Sequence, residues 1–140
     1  MKDSCQKLNN KKMNNEVYSL RRKVINIIYD IKKEVDLPRI EVRITDSHTH
    51  ILGVGRMNCN IIWITEECIN CNPKTLFHVV AHEIGHAVFG LSHDDNCKLM
   101  KPIVISAATK KQAINVLKKA SSKKMGKLKR SKNLLVSIQA

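Results

Sequence analysis

Two histidines and a glutamate stand at a spacing that can hold a metal ion and use it. The chain reads HEIGH from His82 to His86, so the two histidines are four residues apart. On a helix, residues four apart lie on one face about one turn from each other, and both imidazoles can bind the same ion. Glu83 follows the first histidine, where its carboxylate can reach a metal-activated water without binding the metal. This spacing predicts hydrolysis, with Glu83 as the general base.

A catalytic zinc ion needs a third protein ligand, and His93 is the candidate. Catalytic zinc sites use three protein ligands and leave a fourth position open for water. Gly90 can end the helix and turn the chain, which would bring His93 back beneath the two helical histidines. We therefore predict one catalytic Zn²⁺ held by His82, His86 and His93.

The segment HEIGHAVFGLSHDDNCKLMKP, residues 82–102, resembles the metzincin clan of zinc proteases. The pattern of that clan is HExxHxxGxxH followed by a turn that contains methionine. Here the glycine and the third histidine each come one residue late, as if Phe89 were inserted. The M-x-P sequence that begins at Met100 is similar to that of the matrixin branch, and Asp94 resembles an aspartate of the adamalysin branch. The resemblance covers about residues 79–102.

The resemblance implies a zinc-dependent endopeptidase that acts on a protein or peptide substrate. It implies that Met100 packs as an apolar floor under the metal and that Asp94 is a structural acid nearby. It also implies a strand beside the active-site helix that pairs with an extended substrate. The candidate for that strand precedes the last strand and contains two glycines; its residues are Gly53, Val54, Gly55 and Arg56.

The spacing of apolar residues predicts the elements that must position these side chains. Residues 16–35 repeat apolar positions at intervals of three and four, which predicts an amphipathic helix that ends before Pro38. Residues 40–45 alternate as a half-buried strand does. Two further strands are predicted at 51–57 and 61–65, joined as a hairpin.

The active-site helix is predicted to begin at Asn72 and Pro73, a cap followed by a favoured first residue, and to end near Gly90. A last helix is predicted over residues 107–120, and the basic sequence from Ser121 onward is expected to be loose. The predicted class is α+β. A small, twisted sheet of three to four strands packs on the N-terminal helix and the active-site helix, with a basic C-terminal helix added.

The chain has 140 residues, the usual size of one domain. Within it we predict a flexible basic arm over residues 1–15, a zinc metalloprotease domain over 16–108, and a basic C-terminal helix and tail over 109–140.

The charge of the chain is strongly positive and unevenly distributed. The formal net charge is +13, and every acidic residue lies at or before Asp95. The basic block that follows attracts nucleic acid, anionic membranes or acidic proteins, and a solubilising tail is an alternative of equal weight. A nucleic-acid partner would fit two other functions. One is a protease that acts on DNA-bound proteins, and the other is a non-catalytic nucleic-acid-binding module stabilised by zinc.

Other metal-binding residue types are present outside the main motif. Cys68 and Cys71 form a CxxC pair that Cys59 and Cys97 could complete as a second, structural zinc site, although ordinary reduced thiols are favoured.

Three further histidines lie outside the predicted ligand set. His78 lies one turn before His82 and is expected to line the site, because a fourth protein ligand would close it. His48 and His50 form an HxH pair that could bind a second metal ion, although surface histidines are the favoured interpretation.

The N-terminus has no apolar stretch typical of a secretory signal, and no segment is apolar enough to span a bilayer. We therefore expect a cytoplasmic or other intracellular location, where the five cysteines would be reduced. The composition, rich in Lys, Asn and Ile, suggests an AT-rich genome such as that of a virus, which would place the protein in a virion or a host cell.

Overall fold

Three helices and a three-stranded mixed sheet build the fold in a computed structural model that describes residues 2–46, 51–104 and 106–130. The helices are α1 (Lys2–Lys32), α2 (Pro73–Ala87) and α3 (Lys110–Arg130), and the strands are β1 (Glu41–Thr45), β2 (Gly53–Gly55) and β3 (Ile61–Thr65). A short 3₁₀ helix, Glu66–Asn70, connects β3 to α2. The predicted α+β class is confirmed. Within the described ranges, none of the helices is both long and apolar enough to cross a bilayer.

Helix α1 packs on the rest of the fold through the apolar face that its spacing predicts. Leu20, Val24 and Ile31 are buried on this face. The helix begins at Lys2, so residues 2–15, for which we predicted a flexible arm without regular structure, have a helical backbone, and their flexibility stays a prediction. Neither glycine nor proline occurs before Pro38. A helix already nucleated by packing extends at little cost through such a sequence.

Strand β3 is the centre of the sheet, and the order is β1-β3-β2. It pairs in parallel with β1 and antiparallel with β2, which confirms the predicted hairpin. Strand β2 is shorter than predicted because the turn already begins at Arg56, whose carbonyl accepts a hydrogen bond from the Cys59 amide. One edge of β2 pairs with β3, and no described strand pairs with the other edge.

Helix α2 is the centre of the core, and α3 covers it. Residues Leu76 to Ala87 of α2 are all buried. Helix α3 is fixed at its start by a reciprocal pair of bonds between Thr109 and Gln112, a capping box. It continues to Arg130, so the expectation of loose chain is wrong for residues 121–130. In that stretch Gly126 is the single helix-breaking residue, and the helix extends through it. Residues 131–140 lie outside the described ranges.

The same hydrophobic core contains side chains from α2 and from α3. Ala113 and Leu117 of α3 are fully buried in it. Helix α3 is therefore part of the packed structure that supports α2.

Leu117→Ala is expected to lower the free energy of unfolding by about 2 to 5 kcal/mol, because it leaves a cavity between α3 and α2. Urea denaturation measures the change. Lys118→Ala on the exposed side is the control and should stay within about 0.5 kcal/mol of the wild type. Equal effects of the two substitutions would contradict the packing of α3 on the core.

Candidate metal centre

Helix α2 starts as its sequence predicts. The Asn72 side chain accepts a hydrogen bond of 2.8 Å from the Thr75 amide, and Pro73 is the first helical residue. This cap satisfies an amide that the helix itself leaves free, and proline at the first position loses no hydrogen bond. The start of α2 is thus fixed about two and a half turns before His82.

The exit from α2 is a tight reversal at the predicted glycine. Gly90 has a φ of +64°, in the left-handed region that favours glycine. Its amide donates to the His86 carbonyl at 3.2 Å, and the Leu91 amide donates to the Gly85 carbonyl at 2.9 Å. An ideal Cβ on Gly90 would lie 3.5 Å from Oδ1 of Asn58, which sits in the β2–β3 turn. The extra residue, Phe89, is accommodated in this reversal.

The reversal brings the three predicted ligands together. Candidate ligand atoms of His82, His86 and His93 all lie within 4.8 Å of one another. The ring centroid of His93 is 5.4 Å from that of His82 and 4.8 Å from that of His86. His82 and His86 are buried, whereas His93 is exposed. The group can hold a metal ion on the side that faces solvent.

Hydrogen bonds to backbone carbonyls fix the tautomer of two ligands. Nδ1 of His82 donates to the Leu99 carbonyl at 2.6 Å, and Nδ1 of His86 donates to the Leu91 carbonyl at 2.5 Å. A carbonyl only accepts, so each Nδ1 carries the proton and each Nε2 keeps a lone pair for a metal.

The two Nε2 atoms face each other at 3.0 Å. Two lone pairs at that separation repel unless a proton or a cation lies between them. Tetrahedral zinc, with bonds of about 2.0 to 2.1 Å, holds two nitrogens about 3.3 Å apart. The histidines therefore fit such an ion with only a small adjustment.

Burial keeps these two histidines neutral. It lowers the pKa of His82 to about 4, and the neighbouring His86 and His93 add to the effect. Burial likewise lowers the pKa of His86. The neutral imidazole is the form that binds metal, so the ligands do not need to lose protons first at neutral pH.

Glu83 is a buried carboxyl group without a partner. Its exposed fraction is 5%, and burial raises its pKa to about 8. Its Oε2 has no hydrogen-bond partner within the described chain, and its Oε1 lies 4.0 Å from Nε2 of His82. A cation on the histidines would favour the ionised form of this carboxyl group and lower its pKa again.

Strand β2 passes directly over Glu83. An ideal Cβ on Gly53 would lie 2.9 Å from Cγ of Glu83 and 3.2 Å from Cγ1 of Val79, so a side chain there would displace the glutamate. Val54 is 47% exposed. Arg56 is exposed beyond the end of the strand. The candidate substrate strand thus borders the site through Gly53.

Met100 packs under α2. An ideal Cβ on Gly85 would lie 2.9 Å from its Sδ atom, and Met100 is only 2% exposed. Asp94 is exposed, and it closes the loop before Met100. Its amide donates to the Met100 carbonyl, and its Oδ1 accepts from the Asn96 amide.

His78 is a structural residue of the core. It is 1% exposed, and its Nδ1 accepts a hydrogen bond of 2.8 Å from the Ala108 amide just before α3. It is not part of the histidine group. Burial, with a contribution from Lys98, lowers its pKa. His48 and His50 lie outside the described residues.

The cysteines considered for a second, structural zinc site are not brought together as a group of three or more in the described residues. Over the described ranges, the three histidines are the single group of three or more His, Cys, Asp and Glu side chains that could hold an ion. Cys68 and Cys71 lie close together at the 3₁₀ helix before α2, whereas Cys59 and Cys97 belong to other segments. Cys59 is in the β2–β3 turn and Cys97 in the loop after His93, while Cys68 lies 3.2 Å from the Leu52 carbonyl. Burial raises the pKa of the Cys68 thiol, which favours the neutral form over a metal-binding thiolate.

Lys124 of α3 binds the C-terminal end of α2 through a contact that no sequence pattern indicated. Its Nζ donates to the Val88 carbonyl at 2.8 Å and lies 5.9 Å from the ring centroid of Phe89. A lysine at a helix C-terminus satisfies a free carbonyl and complements the helix dipole. The residue inserted in the motif is thus covered by a cation from α3.

No model of a protein family matches the chain, and no curated protein or solved structure matches it either. The metzincin resemblance therefore rests on about residues 79–102 alone.

Glu83→Gln is expected to stabilise the metal-free protein at alkaline pH. The folded-state pKa of about 8 exceeds the ordinary 4.5, so wild-type stability falls as pH rises between these values. The gain in unfolding free energy should be absent near pH 4 and reach about 1 to 3 kcal/mol near pH 9. Denaturation in the presence of a chelator measures the free energy of unfolding of both proteins at each pH. An equal difference at the two pH values would contradict the assigned cause.

Lys124→Met is expected to weaken zinc binding by roughly fivefold, because a hydrogen bond worth about 1 kcal/mol no longer holds the segment that leads to His93. Competition with a chromophoric chelator measures the affinity. Lys123→Met is the control, since its side chain points to solvent. Equal affinities of both variants would show that the contact does not support the site.

Proposed function

We propose that the chain is a zinc-dependent endopeptidase in which Glu83 is the general base. The observation that carries the proposal is the convergence of the three histidines beside a buried carboxyl group whose Oε2 has no partner. A buried unpaired carboxyl group costs stability, and such a cost is typical of groups that act in catalysis.

His82, His86 and His93 would hold the ion. Three imidazoles suit zinc, and three protein ligands leave a position free, as in catalytic sites. Within the described chain no fourth side chain joins the group, which argues against a closed structural site. A bound zinc ion supplies positive charge that polarises a carbonyl and acidifies water.

Glu83 does the proton transfer. Its free Oε2 can accept a proton from the attacking water and then pass it to the amine that leaves. The backbone of Gly53 lies against its side chain and leaves no room for a larger residue there. Desolvation there raises its basicity, as a general base near neutral pH requires.

The open edge of β2 supports an extended peptide as the substrate. A peptide can add to an unpaired strand through backbone hydrogen bonds. Gly53 contacts Glu83, so a chain bound along this edge would pass close to the metal centre. A strand edge binds the middle of a chain and does not select a terminus, which favours an endopeptidase.

Glu83→Gln is expected to keep about one zinc ion per chain and to lower cleavage of a denatured protein by about 10²- to 10⁴-fold. His93→Ala should weaken zinc binding itself. Glu67→Gln removes an exposed carboxylate from the 3₁₀ helix that precedes α2, and it should change neither zinc binding nor cleavage. The measurements are metal analysis and release of peptides from the denatured protein.

Two results would refute the proposal. Undiminished cleavage by Glu83→Gln would show that Glu83 is not the general base. Absence of cleavage by zinc-loaded wild type over a range of denatured proteins would favour a non-catalytic zinc-binding module.

A further inference from the structure

The outer side of α3 carries basic residues that the packing of the fold does not use. Its inner side packs on the core through Ala113, Ile114 and Leu117. Its outer side presents exposed residues at intervals of four, which a helix places along one stripe. This α3 stripe consists of Lys111, Asn115, Lys119 and Lys123.

The charges of the α3 stripe oppose the stability of their own helix. Lys111 lies in the first turn, where the helix dipole is positive and no acidic residue is present. Lys119 and Lys123 are four apart, a spacing at which like charges repel by a few tenths of a kcal/mol. Local folding energetics therefore do not explain this pattern.

Neighbouring lysines of α3 do have acidic partners, unlike those of the stripe. Lys110 lies 3.2 Å from Asp30, and Lys118 lies 3.8 Å from Glu34, both on α1. Across the described residues, no carboxylate lies within 4 Å of the stripe lysines. Their charge is free for a ligand.

We propose that the α3 stripe binds the phosphate backbone of double-stranded nucleic acid. No acidic residue follows Asp95, so the charged side chains of α3 itself are all basic. Lys and Asn are common phosphate contacts that carry no sequence information. The stripe is about 18 Å long at 1.5 Å per residue. That length matches about five base pairs of duplex at 3.4 Å each.

The structure favours nucleic acid over a membrane. A helix that lies on a bilayer must bury its apolar face in lipid. The apolar face of α3 is already buried against α2, with Ala113 and Leu117 fully covered. What remains outside is polar and basic.

The composition of α3 favours a duplex over a single strand. The helix contains no aromatic residue. Single strands are held largely by stacking of bases on aromatic side chains. The interaction is therefore with the backbone, independent of base sequence and sensitive to salt.

The test compares two doubly substituted full-length proteins that lose the same charge. Lys119→Gln with Lys123→Gln removes half of the stripe, and Lys23→Gln with Lys74→Gln removes two exposed lysines elsewhere. Affinity for two unrelated DNA duplexes is measured by fluorescence anisotropy over a range of salt concentrations. Circular dichroism checks that both variants stay folded. Neither pair touches the metal centre, so the result does not depend on hydrolytic activity.

The stripe variant should bind at least about tenfold more weakly than wild type near 0.1 M salt, with a salt slope lower by about 2, equally for both duplexes. The control variant should bind like wild type. Equal losses in the two variants would show only diffuse charge attraction and would overturn the proposal. Tighter binding to a single strand, to polyglutamate or to phosphatidylserine vesicles than to the duplex would overturn it as well.

Discussion

The hydrogen bonds from His82 and His86 to backbone carbonyls are the constraint on which the metal centre depends. They set which nitrogen of each ring faces the ion, and they tie the carbonyls of Leu91 and Leu99 to helix α2. The loop between these two leucines is thereby held at both ends. His93 and Met100 take their places as a consequence, one on the solvent side and the other beneath the helix. One pair of bonds thus helps to order both the candidate ligands and the loop that leads to Met100.

The burial that keeps the histidines neutral also disfavours the ionised form of Glu83. Removal of water favours the neutral form of every group in the site. The neutral form is the one in which an imidazole binds metal, but for the Glu83 carboxyl group it means that the ionised form is disfavoured. The surrounding core must compensate for this cost. Helix α2 is buried along most of its length, and α3 covers part of it, so the site lies on a deeply buried helix.

What the sequence predicted well was what local geometry determines. The spacing of His82 and His86 places both on one face of any helix, and Asn72 with Pro73 marks a helix start without reference to the rest of the chain. The partners of the histidine rings could not be predicted in this way, because a backbone carbonyl has no identity in a sequence. The contact of Lys124 with Val88 joins distant segments and leaves no pattern either. The cysteines differ: residue type suggested a second site, but the described residues bring no three of them together.

Two left-handed residues, Asn58 in the hairpin turn and Gly90 at the exit of α2, lie against each other. The turn belongs to the hairpin whose outer strand, β2, has an edge that no described strand pairs with, and Gly90 begins the segment that leads to His93. A chain bound along that edge would therefore be linked to the third candidate ligand through neighbouring segments. Thermodynamic linkage makes such an effect reciprocal: occupancy of the edge would alter affinity for the ion, and the ion would alter affinity for the occupant by the same factor.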